Sequence, residues 1–211
     1  MYSTSSRFSD QYSGVLSLPT RLRNFLPDSL FQVACDLQAM SDVIDAKLEQ
    51  EITLSQGDVH CYEDKFAAAQ HGLVNFPFTQ SGVDNIVTYH RQNCWRNAAF
   101  IFLNTVIRGT PGKSLIDLAT DRLLDSLQKS DLQSEWSVHK DVLLWVLFIC
   151  WNGAFGNAVK NLLSIQFQQL IRDMGLSSFE QTRRILQQHV WRDSSLDKPL
   201  RDIWNTATSV S

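Results

Sequence analysis

Apolar residues recur every three or four positions along most of the chain, the spacing expected for one buried face of an α-helix. The first clear stripe follows Pro27 and Asp28, two residue types that suit the start of a helix. Its members share one helical face and are Leu30, Val33, Leu37, Met40, Ile44 and Leu48. The pattern predicts an amphipathic helix that is broken at Gly57 and Asp58.

The region after that break has a less regular pattern. A short amphipathic piece is predicted near residues 62–71. An irregular connection is predicted next, because several residues that favour turns follow one another: Gly72, Asn75, Pro77 and Gly82. This connection is the best candidate for a boundary between two parts of the fold.

Two segments are apolar on all sides and are therefore predicted to be central. The first, residues 98–103, belongs to a helix expected to start near Ser81-x-x-Asp84 and to run to about Arg108. The second is the ten-residue run Val142–Trp151, which is too short to cross a membrane. Its valine and aromatic content leaves a buried strand as an alternative, but the helical neighbours favour a helix.

The loop Gly109-Thr-Pro-Gly112 is predicted to end the first central helix. Ser114-x-x-Asp117 is predicted to cap the next helix. Asp117 and Asp121 are one turn apart and could suggest a pair of catalytic carboxylates, but acids near the start of a helix are explained more simply by their favourable interaction with the helix dipole. The inner face of that helix is predicted to consist of four leucines, namely Leu115, Leu118, Leu123 and Leu127.

The last third of the chain predicts three more helices. A strongly amphipathic one begins at Asn157 and is predicted to end at Gly175 in a left-handed conformation. Ser177-x-x-Glu180 predicts a capping box for the next helix, which buries Ile185, Leu186 and Val190 and ends near Trp191. Pro199 is predicted to open a short final helix.

These elements predict one all-α domain, an antiparallel helical array of seven to nine helices around the central segments Ala98–Ile107 and Val142–Trp151. We expect the domain to occupy residues 21–211. Residues 1–20 are rich in serine and are expected to form a flexible tail.

Composition and charge narrow the range of functions. Charged residues are 19% of the 211 and the net charge is −3, which excludes a strongly basic nucleic-acid binder. The N-terminal residues lack the apolar core of a signal peptide. No C-x-x-C pair occurs among Cys35, Cys61, Cys94 and Cys150. We therefore expect reduced, mostly buried cysteines in the cytosol or nucleus.

Three patterns suggest a phosphate-binding, metal-binding or catalytic site, but an ordinary structural role explains each of them better. The sequence Gly109–Ser114 resembles a phosphate-binding loop, but Ile107 stands where the first glycine is required and a helix precedes it. His90 and Cys94 are one helical turn apart, yet no further metal ligand or catalytic partner is indicated. His60 and Cys61 are merely adjacent.

Arginine and tryptophan residues offer two weaker candidates. Arg183, Arg184 and Arg192 predict a small basic face, which we interpret as solvated surface. The tryptophans are predicted to lie mostly in the core, with a pocket or an interface as the alternative: Trp136, Trp145, Trp151, Trp191 and Trp204. We assign no catalytic, cofactor-binding or metal-ligating residue and expect no cofactor.

Three segments resemble the fungal-specific transcription factor domain. Leu143–Cys150 is similar to a block in which a W-P-[LI]-F-like run forms a buried helix. Phe167–Gly175 and Arg183–Trp191 are similar to the stretch that follows it, a helix, a glycine turn and a helix ending in a V-W pair. Asn97–Gly109 looks like the family's long apolar helix before a Gly/Pro loop. The resemblance covers roughly residues 85–205.

The chain departs from this family pattern at two points. Val146 stands where the family often has proline. The six-cysteine zinc cluster with C-x2-C-x6-C spacing, usual at the N-terminus of these factors, is absent from the sequence. The chain is therefore expected to be either a piece of a longer factor or a short relative that has lost DNA binding.

The resemblance implies a nuclear regulatory or effector domain, with the cytoplasm as the alternative location. It implies action through protein–protein or small-molecule contacts or self-association, without enzymatic activity, direct DNA binding or membrane insertion. The first alternative is a stand-alone helical adaptor or dimerisation protein. The second is a helical enzyme with a pocket lined by Trp, Cys and His, for example His90 and Cys94 with a third polar partner.

Overall fold

The computed structural model describes residues 18, 20–50, 55–75, 86–109 and 112–208. Within these ranges the chain forms nine α-helices and no strands. Their bounds are α1 Thr20–Phe25, α2 Asp28–Gln50, α3 Gln56–Asn75, α4 Ile86–Phe102, α5 Lys113–Gln128, α6 Lys140–Gly153, α7 Asn157–Asp173, α8 Phe179–Leu186 and α9 Asp193–Thr208. A π-helical segment, Leu103–Ile107, continues α4. The all-α prediction is confirmed.

The two segments predicted to be central form the middle of the core. Every residue from Val142 to Cys150 is buried in α6, and α4 packs directly against this helix. Trp95 of α4 and Trp145 of α6 stack with their ring centroids 5.9 Å apart. The helical interpretation of residues 142–151 is therefore confirmed over the strand alternative.

Helices adjacent in the sequence pack against each other around this centre. The main pairs are α2 with α3, α4 with α5, and α6 with α7, while α9 covers α7 and α8 contacts α6. Buried side chains form one contiguous cluster that extends from Leu22 of α1 to Ala207 of α9. In the part of the chain that is described, no helix is long and apolar enough to cross a membrane.

Helix α3 differs from the prediction for residues 57–75. Gly57 and Asp58 lie inside its first turn, because Ser55 and Asp58 cap it reciprocally: the Asp58 amide donates to Ser55 Oγ (3.2 Å) and the Ser55 amide donates to Asp58 Oδ2 (3.1 Å). Gly72 and Asn75 are helical as well. A Cβ on Gly72 would lie 2.8 Å from Val33 Cγ2, so this glycine allows α2 and α3 to approach closely. Pro77, Gly82, Ser81 and Asp84 lie outside the described residues.

Helix α5 also differs from its prediction. Gly112 is the N-cap and makes no side-chain cap bond, Ser114 is already helical, and no acid lies in the first turn. The buried face carries Ile116, Ala119, Leu123 and Leu127. Leu115 and Leu118 point elsewhere, being 48% and 47% exposed. The prediction that they face the core was wrong because each is one position, about 100° around the helix, from a buried residue.

The end of α7 forms as predicted. Gly175 has φ +67°, the amide of Leu176 donates to the Ile171 carbonyl (3.0 Å) and the amide of Gly175 donates to that of Arg172 (3.0 Å). These two bonds define a Schellman motif. The glycine is required here because a side chain is strained at positive φ.

The predictions for the last two helices need correction. The N-cap of α8 is Ser178, whose Oγ accepts the Gln181 amide (3.2 Å), one residue later than the predicted Ser177. Helix α8 ends at Leu186, so Val190 and Trp191 lie in the connection beyond it. Helix α9 begins at Asp193 and contains Pro199 in its interior, instead of starting there.

Gly153 allows α4, α5 and α6 to approach one another. A Cβ there would collide with Ile101 Cγ2 and lie 3.6 Å from Ile116 Cγ2. Both isoleucines are fully buried, so neither can move freely. We therefore expect Gly153→Ala to lower the free energy of unfolding by about 1–3 kcal/mol in urea titrations.

The matched control is Gly57→Ala in the exposed first turn of α3, because a Cβ there would meet only Ser55 Oγ at an ordinary contact distance of 3.8 Å. Its free energy of unfolding should stay within about 0.5 kcal/mol of the wild-type value. If the two alanine variants were equally stable, the close approach at Gly153 would be contradicted.

Candidate interaction surface

His90 and Cys94 do not form a site. Cys94 is fully buried, its thiol faces the Leu123 carbonyl at 3.9 Å, and burial raises its pKa. A thiol held protonated is neither a nucleophile nor a metal ligand. The ring of His90 instead packs edge-on against the Tyr89 ring, with the two ring centroids 5.3 Å apart. Among the described residues, no group of three or more His, Cys, Asp or Glu is placed to hold a metal ion.

The remaining cysteines are also free thiols. Cys150 is buried like Cys94, whereas Cys35 and Cys61 are half-buried. His60, next to Cys61, lies 3.6 Å from the Glu63 carboxylate on the exposed side of α3. The prediction of burial is thus confirmed for two of the four cysteines.

The predicted basic face is not assembled, because two of its three arginines bind carboxylates of the same chain. Arg183 donates to both oxygens of Asp197 and to Asp193, each at 2.9 Å. Arg192 donates to Asp45 (3.0 Å) and to a backbone carbonyl. Of the three, only Arg184 is exposed. This face offers little positive charge to a nucleic acid.

The tryptophans lie mainly in the core, as predicted. Trp136 and Trp145 are fully buried, as is Trp95, and Trp191 is nearly so. Trp151 and Trp204 are partly buried and pack against the core cluster. The enzyme alternative required convergent polar groups in a Trp-lined pocket, and the described residues do not bring His90 and Cys94 into one.

The Val190–Trp191 pair is held in place from two directions. The indole Nε1 of Trp145 donates to the Val190 carbonyl at 2.8 Å in the core. On the other side, Gln38 of α2 accepts the Trp191 amide (2.9 Å) and donates to its carbonyl (3.2 Å). The pair therefore joins α2 and α6 to the connection between α8 and α9.

Beside this pair, His189 is buried and lacks a hydrogen-bond partner at either ring nitrogen. Its Nε2 lies 3.7 Å from Asp141 Oδ2. Burial lowers the pKa of His189 to about 4, although the carboxylate of Asp141 acts in the opposite direction. The imidazole is therefore neutral at physiological pH.

A surface groove lies between the C-terminal end of α3, the middle of α4 and the first half of α5, with a volume of about 230 Å³. We call it the α3–α5 groove. It is lined by Leu73, Val74, Arg96, Asn97, Phe100, Leu115, Leu118, Ala119 and Arg122. Val74 is 55% exposed, and Leu115 and Leu118 are about half exposed, so the groove presents apolar surface to solvent. These adjacent apolar side chains make the groove a candidate interaction surface.

Two arginines give the α3–α5 groove a positive charge. Arg96 donates to Asn93 Oδ1 (2.9 Å) and to the Leu73 carbonyl (3.4 Å). The pKa of Arg96 is lowered mainly by burial and further by the positive charge of Arg122. In the described part of the chain, no carboxylate oxygen lies within 4 Å of the Arg122 guanidinium.

The sequence pattern does not predict this groove, because the spacing of Leu115 and Leu118 indicates a position in the core. One signal was present in the sequence. Helix α5 carries Leu115, Ile116, Leu118, Ala119, Leu123, Leu124 and Leu127. These apolar residues span more than the single stripe that a surface helix buries.

The described residues thus form a helical array with an exposed apolar groove. A family model described as the fungal specific transcription factor domain matches residues 18–209. The chain belongs to this family, a regulatory region of fungal transcription factors whose members are typically not enzymes. The match extends the resemblance from residues 85–205 to α1, α2 and α3, and no zinc-cluster domain is detected.

Comparison with curated proteins and with solved structures finds no match.

Proposed function

We propose that this chain is a regulatory domain that acts by binding another protein through the α3–α5 groove and does not itself contact DNA. The exposed apolar groove is the observation that carries the proposal. Residues 21–211 constitute the domain, and the site of action is the nucleus. The tail expected for residues 1–20 lies outside the described residues, except for Leu18 and Thr20. A small-molecule effector, or a second copy of the chain, is the alternative partner.

Charge supports the separation from DNA binding. The chain has 19 basic and 22 acidic residues. Arg183 and Arg192 are held by carboxylates of the same chain. Phosphate contacts provide most of the affinity of a non-specific DNA complex, and they require available cations.

Regulation by such a domain does not require it to catalyse a reaction. A partner that binds one conformation of the helical array better than another shifts the population toward that conformation. The helices around the groove, α3, α4 and α5, pack against one another and α4 reaches the core beside α6. A partner seated in the groove therefore contacts elements that are continuous with the core.

The proposed role is tested by tethering the full chain to an unrelated DNA-binding domain upstream of a reporter gene in a fungal cell. We expect reporter transcription to differ from that obtained with the DNA-binding domain alone. Equal transcription from the two, at matched protein levels, would contradict the regulatory role.

The absence of direct DNA binding is tested by fluorescence anisotropy with the purified chain and a short labelled DNA duplex. At physiological salt we expect a Kd weaker than about 10⁻⁴ M, the weak limit of non-specific DNA binders. Arg184→Glu should leave the titration unchanged. Micromolar binding that weakens steeply with added salt would contradict this part of the proposal.

A further inference from the structure

The apolar part of the α3–α5 groove has a floor and two half-exposed walls. Leu73 and Ala119 are buried and form part of its floor. Val74 at the end of α3 and Leu115 with Leu118 on α5 remain about half exposed. The two leucines are three residues apart on one helical face, so they form a continuous apolar strip. Covering this strip removes apolar surface from water, which favours binding.

The charge of the groove selects one sign of ligand. Arg122 lines it with an exposed side chain, whereas Arg96, which also lines it, already donates to Asn93 and to the Leu73 carbonyl. Asp125, one turn beyond Arg122 on α5, binds Lys129 at 2.7 Å instead. A carboxylate from a ligand would form a charge-assisted hydrogen bond with the exposed guanidinium of Arg122.

The shape of the groove favours a helix over other occupants. A volume of about 230 Å³ with half-exposed walls is smaller and more open than the pockets that enclose drug-sized ligands. No sheet edge exists among the described residues, so a strand has no backbone to pair with there. Amphipathic helices bind grooves between helices through apolar side chains at i, i+3 or i+4 and i+7.

We propose that the α3–α5 groove binds an acidic amphipathic helix of a partner protein. The apolar face of that helix covers Val74, Leu115 and Leu118, and its flanking Asp or Glu side chains bind Arg122. This assignment rests on the proposed protein-binding role and specifies the chemistry of the partner.

The test uses two fluorescein-labelled designed peptides and the full 211-residue chain. Each peptide has about 15 residues, a length at which an isolated helix begins to be stable. Both carry leucines at i, i+3 and i+7, with glutamates at the flanking positions in one and lysines in the other. By anisotropy we expect saturable binding of the glutamate peptide and at least about tenfold weaker binding of the lysine peptide.

Variants in the groove make the test specific. Arg122→Glu is expected to weaken binding of the glutamate peptide at least about tenfold and to strengthen that of the lysine peptide. Leu118→Asp is expected to abolish detectable binding of the glutamate peptide. The matched controls lie on the exposed side of α7, namely Arg172→Glu and Ile165→Asp, and both are expected to bind like the wild type. Unchanged far-UV circular dichroism verifies that each variant folds.

Several results would overturn the proposal. They are equal binding of the two peptides, no binding of either one, and equal losses for Arg122→Glu and Arg172→Glu. Binding of decanoate without binding of the glutamate peptide would instead identify a small carboxylate as the occupant. The tethered reporter separates the two proposals: an active wild-type fusion whose chain ignores the glutamate peptide keeps the regulatory role and removes only the acidic helix.

Discussion

Replacing Arg192 by alanine is expected to lower the free energy of unfolding by about 3 kcal/mol. The Arg192 side chain is only 11% exposed and connects three parts of the fold. Its Nε donates to Asp45 of α2 at 3.0 Å, and its Nη1 donates to the Val106 carbonyl of the π-helical segment at 2.7 Å. Arg192 itself lies immediately before Asp193, the first residue of α9.

The large effect arises because the substitution removes Arg192 but leaves its two acceptors, Asp45 and the Val106 carbonyl, in place. Asp45 is 20% exposed and would lose its ion-pair partner, while the Ser194 hydroxyl would still donate a hydrogen bond to it. The Val106 carbonyl would lose its hydrogen bond from Arg192. Leaving a buried charge or acceptor without its partner costs more than the net value of an intact bond.

Urea unfolding followed by tryptophan fluorescence measures this change. Arg184→Ala, on the exposed side of α8, is the control and should stay within about 0.5 kcal/mol of wild type. Arg192→Lys keeps the charge but not the fork of donors, so an intermediate loss is expected. A loss below about 1 kcal/mol for Arg192→Ala, as for a surface ion pair, would contradict the anchoring role.

Acid is expected to destabilise the protein through His189. Burial lowers the pKa of this imidazole to about 4, against about 6.5 in an unfolded chain. Below pH 6.5 His189 therefore binds a proton in the unfolded chain but stays neutral in the folded protein. The contribution of neutral, buried His189 to the free energy of unfolding is fully present above pH 6.5 and is lost progressively as the pH falls toward 4. One proton bound only by the unfolded chain lowers the free energy of unfolding by at most about 1.4 kcal/mol for each pH unit of that interval.

Urea titrations of wild type and His189→Gln between pH 7 and pH 4 test this expectation. The variant should lose less stability over that interval, because it has no buried group to protonate. His60→Gln is the control: His60 is 68% exposed on α3, so the acid dependence should remain that of wild type. The same acid dependence in wild type and in His189→Gln would contradict the assignment.

The central helices could be predicted because their sequence signals are local. An uninterrupted apolar run such as residues 142–151 can be satisfied only by burial on all sides, and α6 lies there. Gly175 was equally predictable, since a glycine that follows an amphipathic stripe suits the left-handed end of a helix.

The errors occurred where two local solutions compete. Ser177 and Ser178 are both able to cap α8, and the cap is formed by Ser178 and Gln181. Pro199 suits a helix start, but Asp193 begins α9 six residues earlier. On α5 the apolar residues exceed one face, and only packing against α4 and α6 decides which of them are buried.

The candidate site and the anchors depend on contacts between distant residues, which the sequence pattern does not reveal. Asp45 and Arg192 are 147 positions apart, and Gln38 and Trp191 are 153 apart. The α3–α5 groove likewise combines Val74, Arg96 and Leu118 from three helices. The family resemblance implies regulation, whereas the proposed binding surface can be identified only from the fold.

The central claim is that this domain regulates transcription through a protein bound in the α3–α5 groove. The most direct measurement compares tethered reporters carrying wild type, Leu118→Asp and Ile165→Asp at equal protein levels. Both substitutions place a new carboxylate at an exposed apolar position, on α5 and α7 respectively. We predict that Leu118→Asp abolishes the effect on transcription while Ile165→Asp retains it. Full activity of the Leu118→Asp fusion, or equal loss in both variants, would contradict the claim.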